Sequence, residues 1–231
     1  MGVAALIMGL SVLLSRFMGL IRDKVISFYY GASLESDIYF ASFVIPDFIN
    51  YLLAGAYFSI TLIPLLTDAF ERTEEDGWRL MGCVFLWMLI VSIPVTGAAM
   101  YLAPELARLA APGFDAQALD RLAYFLRIIL PAQVFFLCGS CVLALVYMRK
   151  SFTIPAFVPL VYNGMIITFG LLMIDKGMEG FCWGVFWGSI LGNFALPVWA
   201  AVRSGGLRMV FTLKHPSLKR FVLMALPLMV G

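Results

Sequence analysis

The sequence predicts an all-α fold, a polytopic bundle of membrane helices, from its composition and from the length of its apolar segments. Of its 231 residues, 62% are hydrophobic and 13% are charged, and the mean hydropathy is +0.96. Soluble globular domains of this size do not have such a composition. A helix needs about 20 apolar residues to cross a hydrocarbon core. The chain supplies six such segments, so we predict six complete transmembrane helices and the start of a seventh.

The six predicted segments follow one another along the whole chain. They cover residues 3–30, 36–70, 77–102, 122–148, 154–174 and 180–202. A last apolar stretch, residues 221–231, would extend about 16 Å as a helix, roughly half of a hydrocarbon core, and cannot span it. We therefore expect two parts, a unit of six membrane helices over residues 1–205 and a cytoplasmic loop with the truncated start of helix seven over residues 206–231.

The second segment is longer than one crossing requires. It has about 35 residues and contains Pro46, Gly55 and Pro64, which are spaced to kink or break a helix. Irregular backbone at membrane depth is tolerated only against protein or a water-filled cavity. The alternative is a single helix that tilts and then projects into the cytoplasm.

The charges in the loops predict the orientation of the bundle. Nine lysines and arginines fall on one side, namely Arg72, Arg79, Arg149, Lys150, Arg203, Arg208, Lys214, Lys219 and Arg220. Three fall on the other side, namely Arg108, Arg121 and Lys176. Because cytoplasmic loops carry the excess of lysine and arginine, we expect a cytoplasmic N-terminus. Arg127, near the external end of the fourth segment, is expected to extend towards that surface.

Two shorter patterns predict packing and a surface helix. In the sixth segment Gly184, Gly188 and Gly192 form a row on one helical face, which permits close approach by a neighbouring helix. Residues 104–120 are polar and small, and they are long enough for a short interfacial helix that ends at Pro112 and Gly113. Both patterns indicate packing and not chemistry.

The remaining polar residues argue against an enzyme, a metal site and a nucleic-acid partner. The net charge of +2 is too small for nucleic-acid binding, and the apolar segments contain no cluster of histidine, cysteine and carboxylate residues. His215 and the acids of residues 71–79 are predicted to be solvated in loops. We expect no cofactor. The cysteines are interpreted as apolar packing residues: Cys83, Cys138, Cys141 and Cys182.

The first segment carries charges that are costly at membrane depth, in the run SRFMGLIRD. One charged side chain at mid-helix costs roughly 2.5–3.5 kcal/mol, so Arg16 and Arg22 require compensation. Gly19 lies angularly between them and leaves bare backbone between guanidinium groups about 9 Å apart along the axis. The planar guanidinium matches phosphate oxygens, which favours an anionic substrate in a water-filled cavity.

A structural ion-pair network is the alternative explanation of these charges. Asp23 lies seven residues from Arg16 and within about 20° of it on a helical wheel. Arg16 or Arg22 can pair with Asp23, or with Asp37 in the second segment, which can instead stabilise the N-terminus of its own helix. Such pairs would hold helices in register without binding a substrate.

Six motifs in chain order resemble those of one transporter family: SRFMGLIRD, GASLESDIYFASFVIPDF, FSITLIPLL, APGF, LRIILP and SFTIPAFVPLVYN. As an ordered set covering essentially the whole chain, they resemble the MurJ (MviN) lipid II flippases of the MOP exporter superfamily. The resemblance implies a bacterial inner-membrane transporter of fourteen helices, in two six-helix lobes and a C-terminal pair. This chain would be the N-terminal lobe, and the C-terminal lobe, with a further arginine, would lie beyond residue 231.

The resemblance also implies site residues. The family's essential arginines of the first helix and the aspartate that opens the second correspond to Arg16, Arg22 and Asp37. Where the family tends to place further charged residues, this chain has Val44, Asn50, Tyr51 and Gly55, which implies a less positive cavity. The predicted substrate-binding residues are Arg16, Gly19, Arg22, Asp37, Asn50 and Tyr51.

The function implied by the resemblance is translocation of lipid II, the undecaprenyl-diphosphate-linked peptidoglycan precursor, to the outer leaflet by alternating access. The expected partners are that lipid-linked diphosphate sugar, membrane lipids and the second lobe. One alternative is a flippase for another polyprenyl-diphosphate-linked glycan, of exopolysaccharide or O-antigen type. A cation-coupled exporter would favour acidic cavity residues over paired arginines. A non-transporting envelope scaffold would use the charges only to hold helices together.

Overall fold

The computed structural model describes the backbone of residues 2–53 and 57–230, and the side chains of residues 9–10, 13–53 and 61–224. The helices in this part are α1 (Gly2–Tyr30), α2 (Leu34–Ala41), α3 (Val44–Leu53), α4 (Tyr57–Arg72), α5 (Glu74–Tyr101), α6 (Ala103–Ala110), α7 (Ala116–Ile129), α8 (Ala132–Met148), α9 (Val158–Leu172), α10 (Glu179–Gly188), α11 (Leu196–Arg203) and α12 (Pro216–Val230). Short 3₁₀ turns lie at Pro155–Phe157 and Ile174–Lys176, and a π-helix at Ser189–Ala195 joins α10 to α11.

The predicted all-α membrane fold is confirmed in its general form. Within the described residues, four stretches are long and apolar enough to cross a membrane: Glu74–Tyr101, Ala116–Met148, Pro155–Leu172 and Glu179–Arg203. The count of six complete spans stays a prediction. α1 has 29 residues, about 43 Å of helix, and it carries the charges of the SRFMGLIRD run near its middle.

The second predicted segment is broken into separate helices where α2 ends and α3 begins. The alternative of one continuous tilted helix was therefore wrong. α2 ends at Ala41, and Ser42 and Phe43 form the turn before α3 begins at Val44. The Ser42 hydroxyl donates to the Tyr39 carbonyl at 2.6 Å, which satisfies an acceptor at the end of α2. Pro46 lies in the first turn of α3, where a missing amide hydrogen costs no helical bond, and Pro64 lies inside α4. Gly55 is outside the described residues.

Two helices begin earlier than their apolar runs. α5 starts at Glu74 because the Thr73 hydroxyl accepts a hydrogen bond from the Asp76 amide at 3.0 Å. α7 starts at Ala116 because the Asp115 carboxylate accepts from the Ala118 amide at 2.8 Å. The prediction that the acids of residues 71–79 lie in a loop was therefore wrong, since they belong to the end of α4 and the first turn of α5, but Glu71, Glu74 and Glu75 are exposed, as predicted.

Two apolar cores lie towards the two ends of the bundle. One includes Ile26, Leu122, Phe125, Ile166 and Phe181, and the other includes Leu66, Met81, Val142, Leu145 and Ala200. α8 packs against α4, α5, α11 and the π-helix, and it contributes to the second core. All four cysteines are buried with free thiols, in agreement with their interpretation as packing residues.

The predicted glycine row, Gly184 and Gly188 in α10 and Gly192 in the π-helix, packs against α9, as expected. A Cβ added at Gly184 would lie 2.5 Å from the Ile166 Cα, and one at Gly192 would lie 3.0 Å from the Tyr162 nitrogen. These neighbours are backbone atoms of α9, so the two helices approach each other more closely than side chains would allow. The π-helix that follows Gly188 was not predicted.

One end of the bundle, which we call the basic end, comprises residues 72–79, 149–150 and 203–220. The Arg149 guanidinium lies 5.3 Å from the centre of the Trp78 ring and donates to the Ala201 and Gly206 carbonyls at 2.9 and 2.8 Å. Burial lowers the pKa of Arg149. These contacts join the ends of α5, α8 and α11 that lie at the basic end.

His215 is buried at the basic end, so the prediction that it is solvated was wrong. Its Nε2 lies 3.0 Å from Asp76 Oδ1, and its Nδ1 accepts from the Ser217 amide at 3.1 Å. Arg72 contacts the other oxygen of the same carboxylate at 3.2 Å. A histidine in a polar sequence can be buried in this way because the chain folds back onto α5 before α12 begins.

The opposite end comprises residues 30–35, 101–121 and 174–179. Arg121 pairs with Glu35 at 2.8 Å, lies 3.8 Å from Glu179, and stacks 4.6 Å from the centre of the Phe125 ring. This network ties the start of α2 to α7 and α10. Arg127 is exposed and its Nε donates to the Met100 carbonyl at 3.4 Å, near this end, as expected for an extended side chain.

Candidate functional site

The candidate site lies on α1, which packs mainly against α9 and the 3₁₀ turn before it. Among its described side chains, Leu10 and Leu13 are 60% and 67% exposed. Phe17 and Leu20, on either side of Gly19, are 60% and 66% exposed. The middle of the helix is therefore available to lipid, to substrate or to further protein.

Arg22 is the most constrained cation of α1. Its side chain is 25% exposed, and its Nη2 lies 2.9 Å from Asp23 Oδ1, while Nε donates to the same oxygen at 3.0 Å. Its Nη1 donates to Asn163 Oδ1 at 3.2 Å. The guanidinium is thus paired with a carboxylate on its own helix and oriented by an amide from α9.

Asn163 holds this arrangement because its own orientation is fixed. The residue is 8% exposed, and its Nδ2 donates to the Pro159 carbonyl at 2.9 Å. With the nitrogen committed to the backbone of α9, the amide oxygen is directed towards Arg22. The orientation of the Asn163 amide therefore helps to fix the position of the Arg22 guanidinium.

Two tyrosines extend the polar region into the lobe. Tyr39 on α2 is 1% exposed, and its hydroxyl has no hydrogen-bond partner among the described residues. Tyr39 and Tyr162 both lie within electrostatic range of Arg22, and Tyr162 also lies within range of Asp47 on α3. Arg22 therefore interacts electrostatically with buried tyrosines of α2 and α9, in addition to its contacts with Asp23 and Asn163.

Arg16 and Gly19 leave an open surface beside this network. The Arg16 side chain is exposed and forms no ion pair with any described residue. A Cβ built on Gly19 meets no atom within 4 Å. Of the ion pairs that the structural alternative allows, Arg22 with Asp23 is present and Arg16 with Asp23 is not. Open space and a cation without an ion-pair partner among the described residues thus occur together on α1.

The other predicted site residues are not joined to the arginines. Asp37 is exposed in the first turn of α2, where a carboxylate stabilises the helix N-terminus. Asn50 is half-buried and Tyr51 is 51% exposed on α3. Among the described residues, no hydrogen bond or ion pair links these three side chains to Arg16 or Arg22. Their place in one substrate site stays a prediction.

Sequence reasoning assigned no role to Asn163, Tyr39, Tyr162 or Asp47. The available signal was polarity within apolar segments, since polar groups at membrane depth are expensive and usually have a partner. Asn163 closes the SFTIPAFVPLVYN motif and is flanked by apolar residues. Its partner could not be identified from sequence, because Arg22 is 141 residues away in the chain.

The comparisons with known proteins agree on one family. The family model described as lipid II flippase MurJ matches residues 26–231. A curated relative, the lipid II flippase MurJ of Burkholderia cenocepacia, is 28% identical over 226 residues, which are 93% of this chain and 44% of the relative. The probable lipid II flippase MurJ of Aquifex aeolicus is 25% identical over 179 residues, 75% of this chain and 35% of that protein.

A solved structure has the same fold. The structure titled lipid II flippase MurJ, inward closed conformation, superimposes with a TM-score of 0.81 at 21% identity and covers 97% of this chain and 47% of that chain. This chain therefore spans less than half the length of the curated relatives and of the structure it matches. Since the family model covers most of its residues, the chain belongs to the MurJ lipid II flippase family.

Proposed function

We propose that the whole protein moves lipid II from the cytoplasmic to the outer leaflet of a bacterial inner membrane by alternating access. The observation that carries this proposal is the arrangement on α1, where Arg16 and Arg22 flank the open backbone at Gly19. Guanidinium groups bind phosphate oxygens with two parallel hydrogen bonds. Membership in the family supports the choice of a lipid-linked diphosphate as the anion.

This chain would supply the N-terminal lobe of such a transporter. Residues 1–205 would form six membrane helices, and residues 206–231 would form the cytoplasmic loop and the start of helix seven. The chain covers 44% of its Burkholderia cenocepacia relative, which is consistent with one lobe of two. The excess of lysine and arginine at the basic end supports a cytoplasmic position for that end and for the N-terminus.

Binding would begin at the free cation and continue to the constrained one. Arg16 has no ion-pair partner in the described part of the chain, so its charge is available to an arriving phosphate. Arg22 forms an ion pair with the Asp23 carboxylate. A diphosphate that reached Arg22 would compete with that carboxylate. Its affinity would therefore be lower than for a site with two unpaired arginines. Release at the outer leaflet would be easier for the same reason.

The membrane potential can drive this movement without covalent chemistry. Moving about two negative charges outward across roughly 100 mV, inside negative, releases on the order of 4–5 kcal/mol. That free energy suffices to bias export. The protein would then act as a transporter and not as an enzyme, with the lobes rocking around a fixed site.

Two alternatives are favoured by particular residues. Val44 and Tyr51, half-exposed on α3, stand where the family tends to have charged residues, which favours another polyprenyl-diphosphate-linked glycan. The Arg22, Asp23 and Asn163 network favours a non-transporting scaffold, since its bonds hold α1 on α9. The first alternative changes the headgroup, and the second removes transport altogether.

The proposed function is tested with the whole protein in proteoliposomes. Translocation of lipid II is compared with that of an undecaprenyl-diphosphate-linked O-antigen unit, and the whole gene is expressed in cells depleted of their own lipid II flippase. We expect transport of lipid II and rescue of growth. Preference for the O-antigen unit would indicate the first alternative, and no transport of either lipid by folded protein would indicate the scaffold.

Asn163→Asp separates substrate binding from helix packing. The substitution places a second carboxylate about 3 Å from Arg22 and removes the amide nitrogen that donates to the Pro159 carbonyl. If Arg22 binds an anionic substrate, this carboxylate competes with it, and we expect the half-saturating lipid II concentration to rise about tenfold. Asn163→Gln is the matched neutral control. Unchanged transport by folded Asn163→Asp protein would mean that Arg22 only holds the helices together.

A further inference from the structure

The segment between α11 and α12, residues 204–215, is held along α5. We call it the strap. The Val210 amide donates to the Trp78 carbonyl at 3.3 Å, and the Trp87 indole donates to the Leu213 carbonyl at 3.0 Å. The strap has no helix or strand of its own, so these bonds fix an irregular backbone against a membrane helix.

The strap extends along α5 beyond the charged first turns of that helix. The centres of the Phe85 and Phe211 rings are 6.4 Å apart. At 1.5 Å per residue, Phe85 lies about 9 Å along the axis beyond Arg79, the last charged residue at the start of this helix. An amphipathic segment at the surface of a bilayer buries its apolar face about 5–10 Å into the boundary between headgroups and acyl chains. Phe211 lies at a comparable depth.

Apolar side chains of the strap are uncovered at this level. Val210, Phe211 and Leu213 are 42%, 62% and 50% exposed. A groove of about 630 Å³ continues from the strap along α12, and its apolar lining includes Leu213, Leu218, Val222 and Leu223. An open apolar groove at this depth has the form and chemistry to accept an acyl chain.

Lysine and arginine side chains lie beside this apolar surface. Lys214 and Lys219 line the same groove, and neither side chain forms an ion pair within the described part of the chain. Nearby, Arg208 and Arg220 are only loosely paired, with nitrogen to oxygen distances of 3.9 and 3.7 Å to Glu74 and Asp68. The groove thus combines an apolar floor with two free ammonium groups.

We infer that this groove is a binding site for an anionic phospholipid, with an acyl chain along Leu218, Val222 and Leu223 and the phosphate on Lys214 and Lys219. Ammonium groups beside an apolar surface attract the anionic headgroups of the cytoplasmic leaflet. The lipid would hold the strap and the start of α12 at a fixed depth in the bilayer. This inference does not depend on which substrate the protein transports.

The test counts lipids bound to the whole protein. Native mass spectrometry is carried out on protein incubated with phosphatidylglycerol or phosphatidylcholine, for wild type and for the double variant Lys214→Gln, Lys219→Gln. We expect the double variant to bind phosphatidylglycerol about tenfold more weakly and phosphatidylcholine equally. The control is Lys176→Gln, an exposed lysine at the opposite end, which should leave both lipids unchanged. Equal phosphatidylglycerol binding by the double variant and wild type would overturn the inference.

A second measurement identifies what covers the groove in the whole protein. A nitroxide-bearing amino acid replaces Leu223, and its relaxation by oxygen and by a water-soluble nickel complex is measured in liposomes. We expect strong relaxation by oxygen and weak relaxation by nickel, as for a side chain among acyl chains. Weak relaxation by both would mean that protein covers the groove, and strong relaxation by nickel would mean that water fills it. Either result would overturn the inference.

Discussion

Arg22→Ala is expected to reduce the rate of lipid II translocation by the whole protein roughly 10- to 150-fold. A hydrogen bond to a charged group contributes roughly 1.5–3 kcal/mol, and each 1.4 kcal/mol is a factor of ten. Arg22→Lys should recover only part of the rate, because an ammonium group cannot form the two parallel bonds of a guanidinium. The initial rate in proteoliposomes at low lipid II concentration measures both effects.

The matched control for Arg22 is Arg203→Ala. Arg203 is an exposed arginine at the end of α11, where it lies 5.2 Å from the centre of the Trp199 ring. Its removal takes away the same charge without touching α1, so transport should be retained. If Arg22→Ala protein is folded and inserted and still transports lipid II at the wild-type rate, Arg22 has no role in substrate binding.

Gly184→Ala is expected to destabilise the protein by roughly 1–3 kcal/mol, although alanine favours helix formation. The added Cβ would lie 2.5 Å from the Ile166 Cα and 2.9 Å from the Met165 carbonyl oxygen. Both are backbone atoms, so α9 has to move as a whole. Thermal unfolding of the whole protein in detergent measures the loss as a lower midpoint.

Gly164→Ala, on α9 itself, is the control for this prediction. A Cβ at Gly164 meets nothing within 4 Å, so this substitution adds a methyl group in open space. Its helix propensity should leave stability unchanged or raise it by up to about 1 kcal/mol. If the two alanine variants unfold at the same temperature, close packing of α9 on α10 is not what requires glycine at position 184.

Much of the fold could be predicted because membrane helices consist of long apolar runs that are visible in the sequence. The predicted third and fifth segments, residues 77–102 and 154–174, agree with α5 and α9 to within a few residues at most ends. The errors lie at starts, where polar first turns precede the apolar run and the cap is a single side chain such as Thr73 or Asp115. The π-helix leaves no comparable periodic signal in the sequence.

The candidate site could be predicted only on one helix. The spacing of Arg16, Gly19 and Arg22 is a local property, and the open space at Gly19 agrees with it. The contact from Asn163 depends on how α9 packs on α1, and periodicity carries no information about that contact. His215 was misjudged for the same reason, since its burial depends on Asp76, 139 residues earlier in the chain.

The most direct test of the account is to trap the ligand that lies between the two arginines. A photoreactive amino acid replaces Gly19, where a side chain has room, and the whole protein is irradiated in membranes that contain lipid II. We predict an adduct with the mass of lipid II that disappears when Arg16 and Arg22 are both replaced by alanine. An adduct that persists without the arginines, or its absence in a photoreactive variant that still transports lipid II, would contradict the account.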